Sequence, residues 1–124
     1  MSLLSGLMGH ASEISPAQAA ADYARLLAPS ERVQLAYKLI RDVIILTDKR
    51  VILIDKQGVT GRKTEYLSIP YRSITRFSVE SAGSFDMEAE LRIWSSGAEP
   101  VQLTFGRGVD VYALQAALAV NVTG

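Results

Sequence analysis

The chain has 124 residues, with 13 basic and 13 acidic side chains, one histidine, no cysteine and a formal net charge of +0. That length suits a single domain, which buries roughly two-thirds of the surface its unfolded form exposes and needs no disulfide or metal to hold it. The lack of cysteine excludes thiol catalysis, cysteine-ligated zinc and iron–sulfur clusters. The balanced charge gives no electrostatic footprint for nucleic acid.

The opening stretch from Met1 to Gly9 is apolar, with Leu3, Leu4, Leu7 and Met8, and no charge of either sign precedes Glu13. Without a basic leading region or a convincing cleavage site, it reads as non-secretory, which predicts a cytoplasmic protein. No window approaches the ~20 apolar residues of a membrane span. Leucines at 3, 4 and 7 share one side of a helical turn, which favours an apolar arm docked on a neighbour over a mobile tail.

Ser15, Pro16 and Gln18 make a helix start: serine caps, proline suits the first helical position, and the glutamine can reach back. Ala20, Tyr23, Ala24 and Leu27 recur at helical spacing, and Pro29 ends a helix of roughly a dozen residues with one apolar stripe. From Glu31 the period becomes two. Val33, Leu35, Tyr37 and Leu39 alternate with Arg32, Gln34, Ala36 and Lys38, the pattern of a strand with one wet face. Further strands are predicted at 43–47, 50–55, 66–69, 74–80, 88–94 and 101–105. The turns fall at Asp48–Lys49, Gln57 to Lys63, Pro70, Ala82 to Asp86 and Ser95 to Gly97. Asp110 then opens a last helix, where a carboxylate favours the positive end of the helix dipole. Val111, Leu114 and Leu118 line one face of it, and Asn121 and Gly124 mark its end.

Helix, seven short antiparallel strands and helix is the resulting order. Strands this short must close on themselves to hide their edges, and a terminal amphipathic helix suits the open end of a barrel. The predicted fold is therefore mainly β: a pleckstrin-homology-like seven-stranded antiparallel barrel capped by a C-terminal helix, plus an N-terminal helix. Residues 1–30 form the arm and helix, and residues 31–124 the barrel with its C-terminal helix, in one domain overall.

Catalysis is poorly supplied. His10 is the only histidine, so neither a Ser-His-Asp arrangement nor a multi-histidine metal site has support. Asp86, Glu88 and Glu90 are the densest carboxylates, but Glu88 and Glu90 share the outer face of one strand and read as a solvated edge. Gly106-Arg107-Gly108 is half a dinucleotide fingerprint, with Val111 where the third glycine belongs, and reads as a strand-to-helix turn. Gly61-Arg62-Lys63-Thr64 lacks the context of a phosphate loop. Lys38, Arg41, Lys49, Arg50, Lys56, Arg62 and Lys63 fall around the first four strands, where pleckstrin-homology domains hold inositol phosphates. Asp42, Asp48 and Asp55 adjoin Arg41, Lys49 and Lys56, so local pairing is expected and membrane binding is expected to be weak or absent.

Apolar excess on the second and third strands needs an explanation. Val43-Ile44-Ile45-Leu46 and Val51-Ile52-Leu53-Ile54 are apolar on both faces, whereas a small barrel needs only its inner face apolar. The N-terminal helix can cover part of the surplus, and a neighbouring subunit the rest. Trp94 falls on the face opposite Ala89, Leu91 and Ile93, grouped with Glu88, Glu90 and Arg92. It is a candidate interface residue, with packing beneath the N-terminal helix as the alternative.

The run from Arg41 to Leu91 strongly resembles the bacterial pleckstrin-homology-like domain family, the YvbH-like group once catalogued as a domain of unknown function. The residues that carry the likeness are Thr47-Asp48-Lys49-Arg50, Asp55-Lys56-Gln57-Gly58, Ser68-Ile69-Pro70-Tyr71 and the Ser81-to-Asp86 loop, where Ser81 replaces a usual threonine. The opening MSLLSGLMGHASEI is similar too. The resemblance implies a single barrel with a C-terminal helix, no enzyme activity, no cofactor, and cyclic homo-oligomers in which adjacent sheets meet. Members with an added C-terminal helical hairpin form larger rings; with no such hairpin in this sequence, the expectation is a pentamer. It also implies a hydrophilic surface at the junction of subunits that takes a protein partner. The candidate interface or partner-binding residues are then Arg41, Asp48, Arg50, Lys63, Glu90, Arg92 and Trp94. A phospholipid-headgroup or peripheral membrane module is the alternative.

Overall fold

The computed structural model describes residues 13–39, 42–57, 63–81, 88–106 and 109–124. The predicted arm at 1–9, together with His10, Arg41, Arg62, Asp86 and the Gly106-Arg107-Gly108 turn beyond Gly106, lies outside the described residues.

Two antiparallel sheets make the barrel. The first has five strands in sequential order: β1 (Glu13–Ile14), β2 (Val33–Lys38), β3 (Asp42–Thr47), β4 (Arg50–Gln57) and β5 (Lys63–Pro70). The second holds β6 (Ile74–Ser81), β7 (Ala89–Ser95) and β8 (Val101–Phe105). A short 3-10 turn at Tyr71–Ser73 carries the chain from β5 to β6. The Tyr71 hydroxyl, pushed well above its ordinary pKa mainly by burial, donates to the Thr47 carbonyl at 2.6 Å and ties that corner to β3. The C-terminal helix α2 (Val111–Thr123) is capped by Asp110, whose Oδ1 accepts from the amides of Tyr112 and Ala113. Its Leu114 and Leu118 are fully buried between the sheets. Asn121, expected at the end of this helix, lies within its last turn and donates from Nδ2 to Gln34 Oε1 at 2.7 Å.

Side-chain alternation divides the apolar residues of β3 and β4 between two cores. Ile44, Leu46, Val51 and Leu53 point inward with Tyr37, Leu91, Ile93 and Phe105. The Tyr37 ring meets Phe105 edge-on, with centroids 5.0 Å apart and planes at 79°. Val43, Ile45, Ile52 and Ile54 point outward, yet all four are buried. Residues 14–33 form the lid over them, with Ile14, Ala19, Tyr23, Leu26, Leu27 and Val33 packed on that face. The chain covers its own surplus, and no neighbour is needed for it.

Local geometry departs from expectation in four places. The N-terminal helix α1 (Pro16–Asp22) is shorter than a dozen residues and passes into a 3-10 turn at Ala24–Leu26. Tyr23, Leu26 and Leu27, spaced at i, i+3 and i+4, still pack together on the sheet through this turn. Ser15 caps it as predicted, accepting from the Gln18 amide at 3.1 Å, but the Gln18 side chain bonds forward to Asp22 and does not reach back. A bulge between Val33 and Leu35 then sends Val33 to the lid core while Leu35 stays with the barrel core. Finally, an eighth strand, β1, pairs with β2 at Glu13↔Tyr37, and β5 begins earlier than predicted, so Lys63 is a strand residue.

Candidate functional site

Glu31 follows the left-handed turn at Ser30 (φ +66°) and is buried at the mouth of the β3–β4 hairpin. Arg50 grips it with Nε and Nη2, each at 2.9 Å. The Thr47 hydroxyl donates to Glu31 Oε2 at 2.5 Å, and the Ala28 amide donates to Oε1 at 2.9 Å. These donors, above all the Arg50 guanidinium, hold the Glu31 carboxyl down to about 2 against the opposing effect of burial. Arg50 also donates to the Leu26 carbonyl at 2.6 Å and Ser68 Oγ at 2.7 Å, so one side chain fastens the lid, the hairpin and β5 together. Asp48 accepts from the Arg32 amide at 2.9 Å. Two residues singled out from the sequence for partner contact, Asp48 and Arg50, thus have their polar atoms engaged within the chain. Their ranking rested on charge near a turn. Glu31, which receives Arg50, lies in no motif and was missed.

The outer face of the β6–β7–β8 sheet is hydrophilic and collects Glu90, Arg92 and Trp94, whereas Lys63 lies on β5 in the other sheet and Arg41 falls outside the described residues. Strand parity brings Glu90, Arg92 and Trp94 to this face, as predicted, and the register sets them opposite Glu80, Ser78 and Arg76 on β6. Arg92 pairs with Glu90 at 3.3 Å, and Gln102 on β8 bridges them, donating to Glu90 at 2.6 Å and accepting from Arg92 at 3.2 Å. The Arg76 guanidinium lies 4.4 Å over the centre of the half-buried Trp94 ring. Trp94 therefore sits on the sheet opposite the lid, with a cation as its cover, and the alternative of packing beneath the N-terminal helix falls away. A shallow concavity at the other end of the same face is lined by Glu80, Ser81, Glu88, Glu90 and Thr104. Its acidic lining repels phosphates.

One family profile and two solved structures agree with this architecture. The profile described as "Bacterial PH domain" matches residues 2–122. The chain belongs to the bacterial pleckstrin-homology domain family. It is 51% identical over 121 residues to the uncharacterized protein YjqA of Bacillus subtilis (strain 168), covering 96% of this chain and 97% of that one. A second uncharacterized protein of that strain, YozO, is 31% identical over 97 residues, covering 78% and 83%. Among solved structures, a DUF1696-family protein with a pleckstrin-homology domain from Shewanella loihica PV-4 superposes with a TM-score of 0.79 at 44% identity, covering 90% of this chain and 96% of that one. A pleckstrin-homology domain from Shewanella amazonensis SB2B gives 0.75 at 49% identity, covering 99% and 100%.

Lysines in this bacterial pleckstrin-homology domain are placed differently from the sequence expectation. Lys38, Lys56 and Lys63 are exposed at the last rungs of β2, β4 and β5, all at one end of the five-stranded sheet. Asp48 bonds a backbone amide and Asp55 accepts from Gln57, so the expected pairing of Asp48 with Lys49 and Asp55 with Lys56 does not form. Backbone donors and short-range amides compete successfully with an exposed ammonium, whose pairing is worth little in water. Among the described residues no group of three or more acidic or histidine side chains is arranged to hold a metal, and no helix is long and apolar enough to cross a membrane.

Proposed function

We propose that this protein is a non-enzymatic cytoplasmic scaffold or adaptor that closes into a cyclic homo-oligomer, most simply a pentamer, and takes a protein partner at the junction of adjacent subunits. One observation carries the assembly: β5 ends the five-stranded sheet with no strand beyond it among the described residues, and it is mostly exposed. Tyr66 and Leu67, on opposite faces of that strand, are 55% and 38% exposed. An unpaired edge flanked by large apolar side chains is a template for another chain. A contact between this edge and a different surface of the next subunit is heterologous, the kind that closes into a ring. The Glu90–Arg92–Gln102 ladder and the Arg76–Trp94 stack supply a polar face of mixed charge for the partner.

The test is a Tyr66→Lys/Leu67→Lys variant, in which two charges oppose edge pairing. It should keep its circular dichroism and lose assembly. A variant that assembles like the parent would remove β5 from the interface. For the partner, a protein captured from the source cell by the parent should be lost on Arg92→Glu; equal capture would reject that face.

The second reading, a phospholipid-headgroup module, draws support from Lys38, Lys56 and Lys63, exposed at one end of the sheet and without ion pairs among the described residues, with Lys63 on the face opposite Lys38 and Lys56. Asp42 and Asp55 face each other across the same rungs and dilute that charge. Co-sedimentation with anionic vesicles should accordingly be weak and fade as salt rises. Tight, headgroup-selective binding abolished by Lys56→Ala or Lys63→Ala would establish the membrane reading instead.

A further inference from the structure

Helix α2 has no charged residue between Val111 and Thr123. Leu114 and Leu118 bury one side of it, while Tyr112 and Val120 on the other side are 82% and 69% exposed. Tyr112, Ala116 and Val120 recur every four residues, so they form one stripe along the outer surface. An outward-facing stripe of a surface helix is ordinarily polar; a helix apolar on both sides is one that something covers.

The chain outside the described residues begins at the right place. Glu13 in β1 pairs with Tyr37, and the two side chains share a face of the sheet. The Tyr37 ring in turn meets Phe105, the last residue of β8, with centroids 5.0 Å apart, and β8 leads into the start of α2. Asp110 is the N-cap of α2. Glu13, to which residues 1–12 are joined, therefore pairs with the residue that packs on the strand leading into the striped helix. They number twelve, bear no acidic or basic side chain apart from the single His10, and contain Leu3, Leu4, Leu7 and Met8. Twelve residues span ~18 Å as a helix and about 40 Å extended, while Tyr112 and Val120 are only ~12 Å apart along the α2 axis. Length and polarity both match. The absence of any cation on α2 argues against an anionic membrane as the cover.

We infer that residues 1–12 of the same chain dock on the Tyr112–Ala116–Val120 face of α2, with Leu3, Leu4 and Leu7 as the anchoring side chains. This goes beyond the ring and does not depend on it, because β5 is a different surface.

A chain without cysteine allows a clean test. Ser5→Cys/Gln115→Cys places one thiol in the arm and one beside the stripe, both outside the anchoring set, and a short bismaleimide links them. The result expected is an intramolecular link that runs as a single chain under denaturing conditions. Its rate should exceed that of a Ser5→Cys/Thr104→Cys control by at least about tenfold, as docking raises the local concentration. Adding Leu4→Asp and Leu7→Asp should bring the rate down to the control's. Links between two chains would show that a second copy covers the face and overturn the proposal. So would equal rates in the test and control pairs, or a rate untouched by the aspartates.

Discussion

Glu31 is an ionised side chain with no access to solvent, held in place by Arg50, Thr47 and the Ala28 amide. Its folded pKa of about 2 lies below the ordinary 4.5. The stabilisation it provides is therefore fully present above about 4.5 and is lost as the pH falls toward about 2. Glu31→Gln leaves the Arg50 charge without its partner and should cost about 2–4 kcal/mol near neutrality. Urea unfolding between pH 2 and 7 should show the parent's acid-side loss of stability and a flatter profile for the variant; parallel profiles would mean that Glu31 titrates normally. On the other sheet, Trp94 is the sole tryptophan and reports directly on Arg76. Arg76→Ala should make its fluorescence more accessible to acrylamide and cost about 0.5–1 kcal/mol. Unchanged quenching would show that the cation does not cover the ring.

The lid decides what the apolar excess of β3 and β4 means. Ile45 and Ile52 face outward from the barrel yet are 0% and 1% exposed, because residues 14–33 lie over them. Ile45→Ala should then cost as much as a true core truncation, about 2–5 kcal/mol. A cost well below 1 kcal/mol would mean that the lid does not seal in solution. Alternation made the inner face of the strands legible in the sequence except on β2, where Val33 crosses to the lid core and Ala36 on the expected wet face is buried, and both-face hydrophobicity correctly announced a cover. The identity of the cover was only half legible. The Ala20–Tyr23–Ala24–Leu27 stripe pointed to a helix, but the α-helix ends at Asp22, Ala19 and Leu26 replace Ala20 and Ala24 on the packed side, and the 3-10 turn, the Val33 bulge and the two-residue β1 depend on how the lid meets the sheet. Such tertiary adjustments leave no period in a sequence. For the same reason parity put Glu90, Arg92 and Trp94 on one face, while the cross-strand partners Arg76 and Gln102 needed the register.

At the scale of the whole molecule, the fold and the family were legible in sequence patterns, and the assembly was inferred there partly from surplus hydrophobicity. The lid absorbs that surplus, so the case for a ring now stands on the β5 edge and on Tyr66 and Leu67. This sharpens what the Trp94 contact can show. With its ring already under Arg76, Trp94→Ala should weaken assembly only if the partner subunit reaches that face, and sedimentation velocity reads the difference. The most direct measurement is multi-angle light scattering on the unmodified protein, eluting from size exclusion at micromolar concentration. A closed ring elutes as one species several-fold heavier than the 13.5 kDa chain; a stable monomer at that concentration would contradict it.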